Sequence, residues 1–249
     1  MFNLFGRNSE SEVTSLTNIS QDIHSHILPG IDDGSPDIET SLLLIKGLFN
    51  LGITKAVATP HIIGDMYRNT PETINNALQK VKIACSEQGI NMELSAAAEY
   101  MLDDYFMELL RKKEPLLTIT KNIILTEISY MTPPDNLEEM SFEIITGGYQ
   151  PIMAHPERYF FYHKNYDSYS RLKELGFLIQ VNLLSLTGYY GTPVKKAAKF
   201  ILENDLADLV GTDMHHNRHL QILSQKKNLS IFKRYLGDKM YNDFSQVAL

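Results

Sequence analysis

IETSLLLIKGLFNLGITKAVATPH, residues 38–61, contains the unit that decides the fold. Its first half has apolar residues at helical spacing and predicts a helix over 38–51, which Gly52 stops. Its second half, Ile53 to Thr59, is a short β-rich run with polar residues after it and a histidine, His61, just beyond its end. Downstream the order repeats: Thr70 can cap and Pro71 suits the first turn of a helix over 71–88, stopped by Gly89.

Short apolar runs that read as strands are Asp22 to His24, Ile53 to Thr59, Met92 to Ala97, Asn122 to Glu127, Pro151 to Ala154, Phe177 to Val181 and Leu206 to Gly211. Helical stretches follow most of them, the pattern of successive βα units around a parallel sheet. Seven such units without a Gly-rich dinucleotide fingerprint predict an α/β fold with a closed or distorted TIM-like barrel, (β/α)7, rather than a doubly wound sheet. Residues 1–19, rich in Ser, Asn, Thr and Glu, read as a flexible N-terminal arm, and residues 20–249 as a single domain.

With 249 residues, 43% of them hydrophobic, the chain can enclose one large core. The net charge of −7 argues against nucleic-acid binding, which needs basic residues to neutralise phosphates. The sequence has no apolar run long enough for membrane insertion and no secretory signal at its start, so the expected location is cytoplasmic. Cys85 is the only cysteine and sits in the helical pattern of Ala77, Val81 and Ala84, which reads as a buried thiol.

His24, His26, Asp33, His61, Glu99, Glu127, His155, Asp213 and His215 fall, nearly all of them, just past a predicted strand. In a barrel of parallel strands those ends converge on one face, so residues far apart in sequence share a pocket. Imidazoles and carboxylates together suit divalent transition metals, and five histidines with four carboxylates exceed one ion's needs. In His24-Ser25-His26 and Asp213-Met214-His215, alternate residues of an extended chain share a face. Asp32 competes with Asp33, since spacing cannot choose between adjacent carboxylates in a turn ending at Gly34.

DIHSHILPGIDDG (22–34), VATPH (57–61), AAAEY (96–100), ILTEIS (124–129), AHPERY (154–159) and GTDMH (211–215) together resemble the successive motifs of the PHP (polymerase and histidinol phosphatase) superfamily. The resemblance spans residues 22 to about 220 and is nearest to the bacterial tyrosine phosphatases of the CpsB and YwqE type. It implies a PHP fold with three divalent metal ions, Mn2+ with Fe2+ or Zn2+ as alternatives. His24, His26, Glu99 and Asp213 would hold one ion, Glu99, Glu127 and His155 its neighbour, and Asp33, His61 and His215 the third. It chooses Asp33 over Asp32, and it implies Arg158 and Arg218 as phosphate-binding catalytic residues, although HHNRHL brings Arg218 closer to the last ligand than the family spacing.

The implied activity is hydrolysis of phosphotyrosine in a protein, the partner being the tail of a bacterial tyrosine kinase that regulates capsular or exopolysaccharide synthesis. Metal coordination can lower the pKa of a bound water to about 7, so no cysteine nucleophile is required. ACSEQG also lacks the arginine of a cysteine-dependent phosphate loop. Alternatives are a histidinol-phosphate or other small phosphoester phosphatase, and a non-catalytic metal-binding, kinase-docking module.

Overall fold

The computed structural model describes residues 15, 16 and 18–244. Residues 1–14 of the expected arm lie outside the described residues, while Leu16 and Ile19 are buried, Ile19 bridging to Tyr241. In chain order the elements are α1 (Ile38–Asn50), β1 (Lys55–Ala58), β2 (His61–Ile62), α2 (Pro71–Glu87), β3 (Glu93–Ala96), β4 (Glu99–Met101), α3 (Asp104–Arg111), β5 (Ile123–Glu127) and α4 (Leu137–Thr146). There follow β6 (Gln150–Ala154), α5 (Asp167–Glu174), β7 (Leu178–Asn182), α6 (Leu183–Thr187), α7 (Thr192–Glu203), β8 (Leu209–Gly211), α8 (Asn217–Leu223) and α9 (Lys226–Leu236), with two 3-10 turns between β6 and α5. No described helix is long and apolar enough to cross a membrane.

The helices begin where the sequence supplies caps. Asp37 accepts the Thr40 N–H at 2.8 Å to start α1, which buries Leu44, Ile45 and Leu48 on one stripe. Thr70 and Thr73 form a reciprocal capping box on α2, with Pro71 in its first turn.

All ladders are parallel and lie in two sheets, β1-β3 and β2-β4-β5-β6-β7-β8, without a continuous closed sheet among the described residues. Pro60, which has no N–H to donate, separates β1 from β2. The expected strand at Asp22 to His24 is held only by isolated bridges, Asp22 to Ala56 and Ser25 to Met214. Backbone hydrogen bonds nevertheless run from this segment both ways, Val57 N to Asp22 O at 2.8 Å and His26 N to Met214 O at 2.8 Å.

Strand side chains alternate between two apolar regions, as expected for parallel strands buried on both faces. Ile123 and Leu125 of β5, Ile152 and Ala154 of β6, and Leu209 of β8 pack with Ile23 in a small inner cluster. Ile124 and Met153 point the other way, into the large core shared with the helices. Glu127 continues the inward set of Ile123 and Leu125, so the period of two delivers its carboxylate to the inner side at the strand end.

Candidate active site

The sequence-predicted ligands meet at one end of the strands: Glu127, His155 and Asp213 lie at or just past the ends of β5, β6 and β8, while His61 and Glu99 open β2 and β4, just past β1 and β3. Four groups have ligand atoms within 4.8 Å of one another: His26, Asp33, His61 and His215; His24, His26 and Asp213; His24, Glu99 and His155; and His61, Glu99 and Glu127. All nine residues fall in these groups, though their division differs from the one the resemblance implies. Glu127 joins His61 rather than His155, and His26 adjoins the Asp33 group as well as His24 and Asp213. Glu99 and His24 are fully buried, whereas the Asp33 side chain is 53% exposed, so the cluster opens to solvent on the Asp33 side.

Backbone close approaches and left-handed turns set this geometry. A Cβ on Gly34 would run into the carbonyl and Cβ of His26, and one on Gly211 would lie 2.8 Å from the His24 Cβ. Two of the predicted ligands adopt the left-handed region, His155 at φ 38° and Asp213 at φ 50°. Such a conformation costs a non-glycine residue about 1–3 kcal/mol and is concentrated at functional sites.

Most of the imidazoles are oriented through one ring nitrogen. His24 Nδ1 meets Gln180 Oε1 at 2.9 Å, His26 Nδ1 meets Asp32 Oδ2 at 2.8 Å, and His215 Nδ1 meets the Asp213 carbonyl at 2.9 Å. Tyr130 Oη lies 3.4 Å from His155 Nδ1. Partners of this kind fix the tautomer and aim the other nitrogen at a metal. Asp32 also accepts the N–H groups of Gly34 at 2.9 Å and His61 at 3.2 Å, so it braces the turn and two of the predicted ligands at once.

The remaining donor atoms fit divalent cations. His61 Nδ1 lies 3.2 Å from Glu99 Oε2 and 3.0 Å from Glu127 Oε1. Yet His61 Nδ1 and Glu99 Oε2 are both buried without a hydrogen-bond partner, an arrangement costly for polar atoms unless an ion satisfies them. Neutral imidazole and ionised carboxylate are the ligating forms. Burial and Arg158 push His155 down to about 4, and burial and His26 push His215 down to about 4. Burial alone would raise Glu99, but His24 and His61 hold it well below its ordinary value. Burial likewise opposes charge on His24, but Glu99 and Asp213 raise it to about 9, the mark of a pocket whose negative field calls for cations.

Asp213 divides its two oxygens. Oδ1 faces His24 at 3.3 Å, His26 at 3.5 Å and His215 at 3.4 Å. Oδ2 accepts from Arg158 Nη1 at 2.6 Å and Asn182 Nδ2 at 2.8 Å. Arg158 thus stands at the edge of the cluster and does not pair with its neighbour Glu157, whose buried carboxylate accepts from Ser185 Oγ at 2.7 Å and Asn182 N at 2.8 Å. Arg218 is exposed on α8 with its guanidinium 5.5 Å from the Tyr189 ring. Tyr159 is fully buried and its hydroxyl accepts the Ile128 N–H at 3.1 Å, a packing role, while Phe160 beside it is exposed.

Comparison with known proteins agrees with this geometry. The profile of the family described as "Capsular polysaccharide synthesis, CpsB/CapC" matches residues 20–246. The chain belongs to the CpsB/CapC family. It is 30% identical over 194 residues to CapC of Staphylococcus aureus, covering 78% of this chain and 76% of CapC. It is 26% identical over 219 residues to the tyrosine-protein phosphatase YwqE of Bacillus subtilis, covering 88% and 86%. Crystal structures of YwqE from Bacillus subtilis and CpsB from Streptococcus pneumoniae, described as metal-dependent tyrosine phosphatases, match with a TM-score of 0.78 at 25% identity, over 90% of this chain and 96% of the solved one.

Sequence reasoning missed Gln180, Asn182, Tyr130 and Tyr190. Gln180 and Asn182 had a readable signal, being polar residues at buried positions in the otherwise apolar FLIQVN run. The two tyrosines had none, since loop aromatics recur throughout the chain.

Proposed function

We propose that this CpsB/CapC-family chain is a metal-dependent protein-tyrosine phosphatase that hydrolyses phosphotyrosine in a protein governing capsular polysaccharide synthesis. The observation that carries the reading is the convergence of five imidazoles and four carboxylates in one cluster that reaches solvent at Asp33, with Arg158 tied to Asp213 at its edge. We assign three divalent ions, Mn2+ first, to His24, His26, Asp33, His61, Glu99, Glu127, His155, Asp213 and His215. When bound, the ions supply Lewis acidity toward the phosphoryl oxygens and ready water for attack.

The chain's own residues do the rest. Gln180 and Asp32 hold the His24 and His26 rings in place, and Asp213 anchors Arg158. The Arg158 fork suits two phosphoryl oxygens and stabilises their charge as the ester bond breaks. Arg218, exposed beside Tyr189, is assigned to the substrate. Cys85 takes no part: it is buried in α2, and burial pushes its thiol up, away from the thiolate a nucleophile needs.

The kinase-tail substrate, the cytoplasmic location and a single domain over residues 20–249 belong to the same proposal. So does a distorted (β/α)7 barrel, supported by the hydrogen bonds that link residues 22–26 to β1 on one side and to Met214 on the other. The test is hydrolysis of phosphotyrosine peptides against histidinol phosphate and a phosphodiester, using Mn2+-loaded protein, a chelated control and His155→Ala. Metal-dependent turnover that prefers the peptide and is lost in His155→Ala is expected. Preference for histidinol phosphate would replace the substrate, and no turnover with metal bound would refute the enzymatic reading.

A further inference from the structure

Arg158 stands between two phenol rings. Its guanidinium carbon lies 4.3 Å from the centre of the Tyr190 ring and 5.0 Å from that of Tyr130. The negative faces of such rings attract a cation. Of the five N–H groups an arginine carries, one donates to Asp213, and no other acceptor among the described residues takes the rest. The side chain remains 21% exposed, so those donors are within reach of a ligand.

Each ring is itself held from behind. Tyr190 sits in the TGYYG turn, where Gly188 at φ 89° and Gly191 at φ 99° reverse the chain and the Gly191 N–H donates to the Gly188 carbonyl at 3.0 Å. Tyr189 packs edge-on against it at 4.9 Å and against His219 at 5.1 Å. On the other side Tyr130 packs on Tyr159 at 5.3 Å and on His155 at 5.9 Å. Both rings are therefore packed against neighbours other than the arginine.

An arginine on a free stem loses rotamer freedom when it captures a phosphate, whereas one already confined has lost it on folding. Confinement in the bound geometry therefore raises affinity without a new contact. Resting on the reading of this site as a phosphatase, we propose that Tyr130 and Tyr190 are positioning residues that hold the Arg158 fork ready for the phosphoryl group.

The experiment measures inorganic phosphate binding to Mn2+-loaded protein by calorimetry, with kcat and KM on an aryl phosphate alongside, for a double-mutant cycle of Tyr190→Leu and Arg158→Ala. Tyr190→Leu is expected to weaken phosphate binding and kcat/KM on the order of 10-fold, as loss of a desolvated cation–π contact requires. Tyr190→Phe keeps the ring and should stay within about 2-fold. In the Arg158→Ala background Tyr190→Leu should add less than about 2-fold, since its effect runs through the arginine. Tyr190→Met, which also removes the aromatic face, gives the same reading if Tyr190→Leu does not fold.

An equal loss from Tyr190→Leu in both backgrounds would make the ring a packing element and overturn the proposal while leaving the phosphatase reading intact. No loss in either background would overturn it equally. Phosphate binding unaffected by Arg158→Ala would instead remove Arg158 from the site, and the positioning role with it.

Discussion

Gly211→Ala tests whether the backbone of β8 holds His24 in place. The added methyl would lie 2.7 Å from Gln180 Nε2 and 2.8 Å from His24 Cβ. Ordinary contacts between such atoms fall at about 3.5–4.0 Å, so Gln180 and His24 must each retreat by about 0.7 Å or more. Neither has room: both are fully buried, and they are joined by the 2.9 Å hydrogen bond that aims the His24 ring. Overpacking of this kind costs about 1–3 kcal/mol. At about 2 kcal/mol the melting temperature of a domain this size falls by about 4–8 °C. Disturbing the partner of a ligating histidine lowers metal affinity about 10–100-fold. The assay is thermal melting of the metal-free chain together with Mn2+ titration of the same samples. A melting temperature and Mn2+ affinity unchanged from the parent would refute the argument that Gly211 is required by space at the His24 ligand.

Asp32→Asn removes the anion at His26 Nδ1 while keeping the shape, and is expected to lower Mn2+ affinity about 10–100-fold, read by equilibrium dialysis. Chelation of the loaded enzyme should abolish turnover and Mn2+ should restore it, whereas activity that survives exhaustive chelation would exclude the metal mechanism. Cys85→Ser should cost about 1–3 kcal/mol of stability by placing a hydroxyl in an apolar site, yet leave kcat/KM per folded molecule within about 2-fold, and a large kinetic loss would revive a thiol role. Arg111→Ala breaks an exposed pair with Glu143 and should shift stability by less than about 1 kcal/mol in a denaturant titration.

The helices and strands were legible because their signals are local. Residues 38–51 and 71–88 read as helices from caps, apolar spacing and a stopping glycine, and the structure places α1 and α2 at Ile38–Asn50 and Pro71–Glu87. The run Asn122 to Glu127 read as a strand and became β5 with Glu127 at its end. Where each candidate ligand sits along the chain was likewise local information, and the structure brings all nine together. How these side chains combine was not: Glu99 stands with His61 on one side and Glu127 on the other because β4 lies between β2 and β5, an order fixed by sheet pairing. The first strand was over-read, since Asp22 to His24 is held by single bridges whose partners lie in distant segments.

The same long-range logic explains how a chain of net charge −7 can offer a site to a phosphate. Its anionic ligands are turned inward, where Glu99 and the Oδ1 atom of Asp213 face imidazoles. Asp213 Oδ2, on the other side of the same carboxylate, is taken by Arg158 and Asn182. With both oxygens engaged, Asp213 presents little free negative charge to an incoming anion, while Arg158 keeps donors free. Substituting Asp213 should therefore do two separable kinds of damage. Asp213→Asn, which retains one oxygen but loses the charge, weakens cation binding through Oδ1 and also releases Arg158 from its anchor. Arg158→Ala leaves Oδ1 facing His24 and should lower phosphate affinity with Mn2+ affinity within about 3-fold, because the arginine touches only the far oxygen. Equal losses of both affinities in the two variants would show that the carboxylate acts as one undivided charge and that the separation drawn from its geometry is wrong.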